Sequence, residues 1–226
     1  MNERFVFDLE RCGVAAAGAP APAAAPGLVV AGADEAGRGC LAGPLVTAGV
    51  CFDYAGWADD DFVALDDLTD SKRLSEAARE RVCREVLRRA RRVVVVARSS
   101  AAIDERGLHV CNLEALAEAL EGVREEACVA LVDGFALPAC TVPHEAVVGG
   151  DLRSAAVAAA SVVAKVTRDR VMRRLHERYP QYGFDRHVGY ATAYHQEMIT
   201  LHGVCPLHRV SFDAVSYRQL GLELVE

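Results

Sequence analysis

Apolar and polar positions along this chain fall into blocks whose period changes repeatedly. Residues 28–34 (LVVAGAD) open on β-branched residues and close on an acid, which predicts a strand. Residues 44–53 (PLVTAGVCFD) predict a second strand, joined to the first by the glycine-rich turn 37–43. Over 75–90 the period lengthens. Val82, Val86 and Leu87 recur at helical spacing among arginines and glutamates, which predicts an amphipathic helix. Residues 93–97 read as a buried strand, and 112–122 as a short helix capped by Asn112. Residues 128–132 form another apolar strand ending on Asp133-Gly134, and Val147-Val148 closes a short one before Gly149-Gly150-Asp151. A long helix runs from Ser154 to the neighbourhood of Arg178, stopped before Pro180, and a final helix covers roughly 191–202.

Hairpin strands followed by alternating helices and strands predict an α/β fold with a mixed central sheet flanked by helices. A chain of 226 residues is long enough for one such domain and a small appendage. Residues 1–12 form a short amphipathic element. Residues 13–27 (GVAAAGAPAPAAAPG) read as a flexible linker whose prolines block a helix. The main domain then covers 28–202, and 203–226 form a small C-terminal extension packed on it.

The net charge of −7 argues against a protein that grips nucleic acid by bulk charge, so such binding would need local basic patches. None of the eight cysteines forms a CxxC pair, and several sit in apolar runs. That favours reduced, buried thiols over a disulfide framework or a zinc site. The apolar stretch from Cys12 to Ala33 is broken by three prolines, and the acidic start MNERFVFDLER does not read as a secretory signal. The expected location is the cytoplasm.

Four acids stand at strand ends or beside glycines: Asp34, Glu35, Asp133 and Asp151. Ligand sites in open α/β sheets form at strand ends. Carboxylates gathered there repel one another, and a hard cation such as Mg²⁺ or Mn²⁺ relieves that repulsion. Adjacent strand residues point to opposite faces, so Asp34 and Glu35 share one site only if the strand ends or kinks between them. Taken singly, an acid at a strand end is usually a turn former or helix cap, and spacing alone does not overturn that reading.

The surrounding motifs decide between these readings. The chain carries VAGADEAGRG at 30–39, DSKRL at 70–74, LVDG at 131–134, GGDLRSAAVAAASVVAKVTRDR from 149, YGFDRHVGY at 182–190 and PLHRVSF at 206–212. In this order they closely resemble the bacterial ribonuclease HII family of type 2 ribonucleases H, from about Val29 to Phe212. The resemblance implies a ribonuclease H-like fold. It implies an endonuclease that hydrolyses the RNA strand of RNA–DNA hybrids and cuts 5′ of single ribonucleotides in duplex DNA, using two Mn²⁺ or Mg²⁺ ions and leaving 5′-phosphate and 3′-hydroxyl ends. Asp34, Glu35, Asp133 and Asp151 match the family's metal-binding acids, with Asp34 bridging. Gly37, Arg38 and Gly39 match the segment that reads the 2′-hydroxyl through backbone groups. Tyr190 matches the tyrosine packed at the RNA–DNA junction, and Ser71 and Lys72 match residues near the substrate backbone. Elementary chemistry agrees, because glycine lets main chain approach a ligand and a 2′-hydroxyl both donates and accepts. Val188 stands where the family commonly has lysine, which leaves a phosphate contact in question.

The basic runs 79–92 and 168–178 read either as solvated helix faces or as duplex-phosphate contacts. Lys165 and Asp169, four apart, form a helical pair. His187 and His208 are expected to be structural hydrogen bonders. The tail Gln219-Leu220-Gly221-Leu222 faintly resembles a sliding-clamp peptide without its aromatic end. A monomer is expected. The competing class is a catalytically silent hybrid-binding protein, which predicts loss of at least one of the four acids, and all four are present.

Overall fold

A single mixed sheet organises the computed structural model, which describes residues 2–14, 27–69, 71, 73–125 and 128–221. The Ala/Pro-rich run 15–26 lies outside the described residues. The strands are β1 (Val29–Ala36), β2 (Leu45–Asp53), β3 (Arg92–Arg98), β4 (Val129–Asp133) and β5 (Glu145–Val147), in the spatial order β3-β2-β1-β4-β5. The first three pair antiparallel, while β4 and β5 add in parallel on the other side of β1. Parallel pairing requires crossovers, and helices supply them.

The helices are α1 (Glu3–Arg11), α2 (Asp59–Ala64), α3 (Glu76–Arg89), α4 (Ser100–Arg106), α5 (Leu108–Val123), α6 (Gly150–Arg153), α7 (Ala155–Arg178), α8 (Phe184–His187), α9 (Ala193–His202) and α10 (Val215–Gln219). Strand alternation sorts the core into two layers. Val30 joins Val46, Ala48 and Val50 against α7 residues such as Val157 and Ala160. Val29, Ala31 and Ala33 join Cys51 against Leu116 and Leu120 of α5. The α7 layer presses so close to β1 that a Cβ at Gly32 would stand 2.3 Å from the Ala156 carbonyl carbon. Gly32 therefore serves helix–strand contact, not a kink in β1.

The long helix starts and stops as its sequence predicts. The Ser154 hydroxyl accepts the Val157 amide at 3.2 Å and caps it. Most of the basic runs form the solvated faces expected, with Arg81, Arg84, Arg88 and Arg174 exposed, but four arginines depart from that. Arg168 is fully buried, and Arg79, Arg173 and Arg170 link α3 with α7 through ion pairs to Asp169, Glu76 and Glu80. The two more exposed pairs, Arg173–Glu76 and Arg170–Glu80, contribute roughly 0–1 kcal/mol each, so they align the helices more than they stabilise them.

Asn112 is not a cap. Its helix begins a turn earlier, at Leu108, and Asn112 is buried inside it. The short strand before Gly149 ends at Val147 instead of including Val148, and α9 starts at Ala193 on a Thr192 cap. The five cysteines Cys12, Cys40, Cys51, Cys83 and Cys111 are buried, and all eight are free thiols. Among the described residues no helix is long and apolar enough to cross a membrane.

Candidate active site

The register of β1 explains how two adjacent acids reach one place. β1 neither ends nor kinks after Asp34. It pairs with β2 through Glu35 and Ala36, opposite Thr47 and Val46. Its pairing with β4, however, stops at Ala33 opposite Val132. Beyond that point one edge of β1 is open. Asp34 leans over it from the α7 face and Glu35 from the α5 face, so alternation holds and both acids still meet at the edge. Asp133 ends β4 beside the same gap. Asp151 arrives on the one-turn helix α6. A pocket of about 410 Å³ is lined by Asp34, Glu35, Gly37, Arg38, Gly39, Ser71, Asp133, Asp151 and Tyr190. Every site residue expected from the sequence is therefore on one wall or another, except Lys72, which lies outside the described residues.

Each acid whose bonds are resolved has turned an oxygen toward a protein donor. Asp34 Oδ1 accepts the Glu35 amide at 2.7 Å, Glu35 Oε1 accepts from Arg38 at 3.3 Å, and Asp133 Oδ1 accepts the Gly150 amide at 2.7 Å. Burial pushes the Asp34 carboxyl well above the usual carboxylate range, and the charges of Glu35 and Asp133 push it further, against a Ser161 hydrogen bond. Glu35 is raised by burial too, opposed by Arg38 and raised again by Asp133. Buried carboxylates whose mutual repulsion is unrelieved attract a divalent cation with oxygen preference. Among the described residues no three of them already surround one ion position. The donor set nevertheless fits a hard cation: four carboxylates and no competing thiol or imidazole line the pocket. Asn112, buried beside Glu35 with no full hydrogen bond to its amide, leaves further polar capacity at this wall.

The Gly37–Gly39 loop is held from behind by two buried arginines. Arg209 Nη1 donates to the carbonyls of Gly37 (2.8 Å) and Arg38 (3.0 Å), and its Nε and Nη2 both reach Gly43 O. Arg168 donates to Pro44 O at 2.9 Å, Val188 O at 2.7 Å and Ala42 O at 2.9 Å. Burial, with Arg168 nearby, lowers Arg209 to about 10, so it stays cationic at neutral pH. With the Gly37 and Arg38 carbonyls already engaged, the loop keeps its backbone N–H groups for a ligand. Gly37 sits at φ +96°, and a Cβ there would stand 2.1 Å from Arg168 Nε. Gly39 has neither constraint, with nothing within 4 Å of its would-be Cβ.

Tyr190 is 39% exposed, so it is not a core aromatic. The Lys165 ammonium stands 5.3 Å from its ring centroid and also pairs with Asp169 at 2.7 Å, as the i, i+4 spacing predicts. Behind Tyr190 lies a chain of neutral imidazoles. The Cys205 amide donates to His208 Nδ1, so His208 Nε2–H donates to His195 Nε2, and His195 Nδ1–H donates to Tyr190 O at 2.9 Å. Burial lowers His195 to about 3 and His208 to about 4. His187 bonds Tyr182 O and the Gly189 amide, a structural role as expected. Val188 is nearly buried, and it is a non-glycine at φ 43°. Such a conformation costs about 1–2 kcal/mol, and the bond from Arg168 to its carbonyl holds it. Ser71 is buried, with its hydroxyl 3.0 Å from that of Ser161. Ser161 in turn bonds Asp34, so Ser71 reaches that acid through it.

Sequence reading missed Ser161, Arg168 and Arg209. Ser161 had a signal, since it is a lone hydroxyl inside the apolar run 155–164. The two arginines had none, because their charge reads as surface until the carbonyls around them are seen.

The model of the family described as Ribonuclease HII matches residues 31–215. The chain is 45% identical over 192 residues to the ribonuclease HII of Acidothermus cellulolyticus, a match covering 85% of this chain and 60% of that one. It is 48% identical over 187 residues to that of Salinispora arenicola, covering 83% and 68%. The chain thus spans less than two thirds of the length of the Acidothermus protein. Among solved structures, the complex of PCNA with ribonuclease HII from Archaeoglobus fulgidus matches with a TM-score of 0.69 at 29% identity, over 82% of this chain and 96% of that one.

Proposed function

The chain belongs to the ribonuclease HII family, and from that premise we propose that it is a metal-dependent endonuclease that hydrolyses the RNA strand of RNA–DNA hybrids and cuts 5′ of single ribonucleotides in duplex DNA. The observation that carries the reading is the convergence of four carboxylates, the Gly37–Gly39 backbone and an exposed tyrosine on one pocket. Asp34, Glu35, Asp133 and Asp151 are the residues that would hold two divalent ions, Mn²⁺ or Mg²⁺. When bound, such a pair supplies a water of lowered pKa and a positive charge at the leaving 3′-oxygen. The products carry 5′-phosphate and 3′-hydroxyl ends.

The protein's own residues supply selection. The N–H groups of the Gly37–Gly39 loop, held in place by Arg209, meet the 2′-hydroxyl, which only a ribonucleotide has. Tyr190 packs on the following deoxyribose, its backbone fixed by His195. Arg38, whose guanidinium already bonds Glu35, balances acid charge when phosphate enters. The Archaeoglobus relative is solved with PCNA, and a sliding clamp is the partner we propose here, docking at the C-terminal end, where Leu222 lies outside the described residues.

The test is cleavage of three duplexes side by side: all-DNA, DNA with one ribonucleotide, and a full RNA–DNA hybrid, each with Mn²⁺, Mg²⁺ or chelator. The reading requires cuts only in the two ribonucleotide-containing duplexes and only with metal. Binding of both without a cut would favour the silent hybrid-binding alternative.

A further inference from the structure

Helix α1 precedes the Ala/Pro-rich run, yet it packs on α6 and α7, which carry Asp151 and Ser161 to the pocket. Phe5 is fully buried, with its ring centroid 5.9 Å from that of Tyr54 and 5.2 Å from that of Phe62. Asp8 is buried and accepts the Tyr54 hydroxyl at 2.7 Å and the Ala156 amide, in the first turn of α7, at 3.0 Å. A carboxylate at a helix N-terminus is favourably placed. These two anchors fix where the start of α1 points.

That start carries Arg4, and each of its three guanidinium nitrogens meets an acceptor. Nε donates to the main-chain carbonyl of Asp151 at 3.3 Å, Nη2 to Thr69 Oγ1 at 2.9 Å, and Nη1 to Asn2 Oδ1 at 3.3 Å. The Asn2 amide reaches Asp66 O at 3.0 Å. Arg4 therefore ties together the two segments that bring Asp151 and Ser71 to the pocket. The Asp151 segment needs such a tie. α6 is a single turn, its preceding Gly149 is left-handed and offers no capping side chain, and the Asp133 carboxylate accepts its first amide. A lone turn is unstable by itself because helix nucleation is costly.

We propose that Arg4 is a positioning residue that presents Asp151 to the divalent metal and so sets metal affinity. This rests on the reading of Asp151 as a metal ligand. It makes a segment outside the motif blocks part of the site, acting through a backbone carbonyl.

The test uses the full chain as wild type, Arg4→Ala and Arg4→Lys, with Asp34→Asn as a site control. Mn²⁺ binding is measured by calorimetry without substrate, cleavage is measured against Mn²⁺ concentration, and thermal unfolding is followed in chelator. Removing a group that orients a metal ligand typically weakens metal binding by about 10-fold or more. Arg4→Ala should therefore bind Mn²⁺ about 10-fold more weakly. Its half-activating Mn²⁺ concentration should rise by the same factor, with kcat recovered at saturating metal. Arg4→Lys, which cannot reach all three acceptors, should fall between. Unchanged Mn²⁺ affinity in Arg4→Ala would overturn the proposal, whatever happens to the melting temperature. So would a kcat that stays low at saturating Mn²⁺ with affinity intact. Wild-type protein that binds no Mn²⁺ would overturn the metal reading and this proposal with it, whereas wild-type binding abolished only by Asp34→Asn leaves the metal reading standing and removes Arg4 alone.

Discussion

Two glycines of one loop should respond oppositely to the same added methyl group. At position 37 the backbone has φ +96°, which costs an L-residue about 1–2 kcal/mol. The new Cβ would also stand 2.1 Å from Arg168 Nε and 2.5 Å from its Cδ. Arg168 is fully buried, so it cannot swing into solvent, and any retreat strains its bonds to Pro44, Ala42 and Val188. Losing one bond from a charged donor costs about 1.5–3 kcal/mol. Gly37→Ala should therefore lose about 3–5 kcal/mol in total, or roughly 6–20 °C in melting temperature for a chain of this size. Gly39 lacks a positive φ, is exposed and has nothing within 4 Å of its would-be Cβ. Gly39→Ala should stay within about 0.5 kcal/mol of wild type. Its methyl would instead occupy the space where a ribose must approach. Loss of a hydrogen bond worth about 1.4 kcal/mol is a tenfold effect, so cleavage of a single-ribonucleotide duplex should fall at least about tenfold. Calorimetric unfolding and initial rates on that duplex measure both quantities. A Gly37→Ala protein melting within about 2 °C of wild type would refute the packing argument. Equal thermal losses in the two variants would refute the division of labour between the glycines.

Asp34→Asn should abolish cleavage and yet raise the melting temperature in chelator, because asparagine can still accept the Glu35 amide without a buried charge facing Glu35 and Asp133. The sign follows from the raised carboxyl. Wild-type stability is present below the unfolded value of 3.8 and is lost as pH rises through the higher folded value, so the variant's advantage should grow with pH, and Mn²⁺ should stabilise the wild type alone. Tyr190→Ala should reduce cleavage of single-ribonucleotide duplexes by about tenfold or more, since packing on a nucleotide contributes about 1–3 kcal/mol, while calorimetric Mn²⁺ affinity stays unchanged. His195 and His208 are held neutral, with folded values near 3 and 4 against 6.5 unfolded. Their contribution is present above pH 6.5 and is lost as pH falls toward 4, so urea unfolding from pH 7 to 4 should show a steeper decline for wild type than for His195→Gln.

Where sequence and structure agree, the signal was long and local. β1, β2 and β3 were readable from β-branched runs, although β3 is a half-exposed edge strand where a buried one was expected, and α7 from its Ser154 cap and from Pro180 beyond its end. α2, α4, α6 and α8 were not, because each is only four to seven residues long and owes its form to tertiary contacts. The four acids were visible as residues, but their convergence was not. Spacing alone left each as a turn former, and the alternation of Asp34 and Glu35 seemed to forbid a shared site. The missing fact was that the pairing of β1 with β4 stops at Ala33, one position before Asp34, which opens that edge of β1 to both faces. Family motifs bridged that gap. They could not indicate that Arg168 and Arg209 point inward or that Asn112 lies inside its helix, since such choices depend on which buried carbonyls lack a donor.

The most direct test of the whole account is the position and chemistry of a single cut. Wild-type protein and Asp34→Asn are incubated with a DNA duplex bearing one ribonucleotide, end-labelled on that strand, in Mn²⁺. The account predicts one wild-type product ending at the 5′ side of the ribonucleotide, with a 3′-hydroxyl extendable by a polymerase, and no product from Asp34→Asn. A cut 3′ of the ribonucleotide, a cyclic or phosphorylated 3′ end, or a product that survives Asp34→Asn would contradict it.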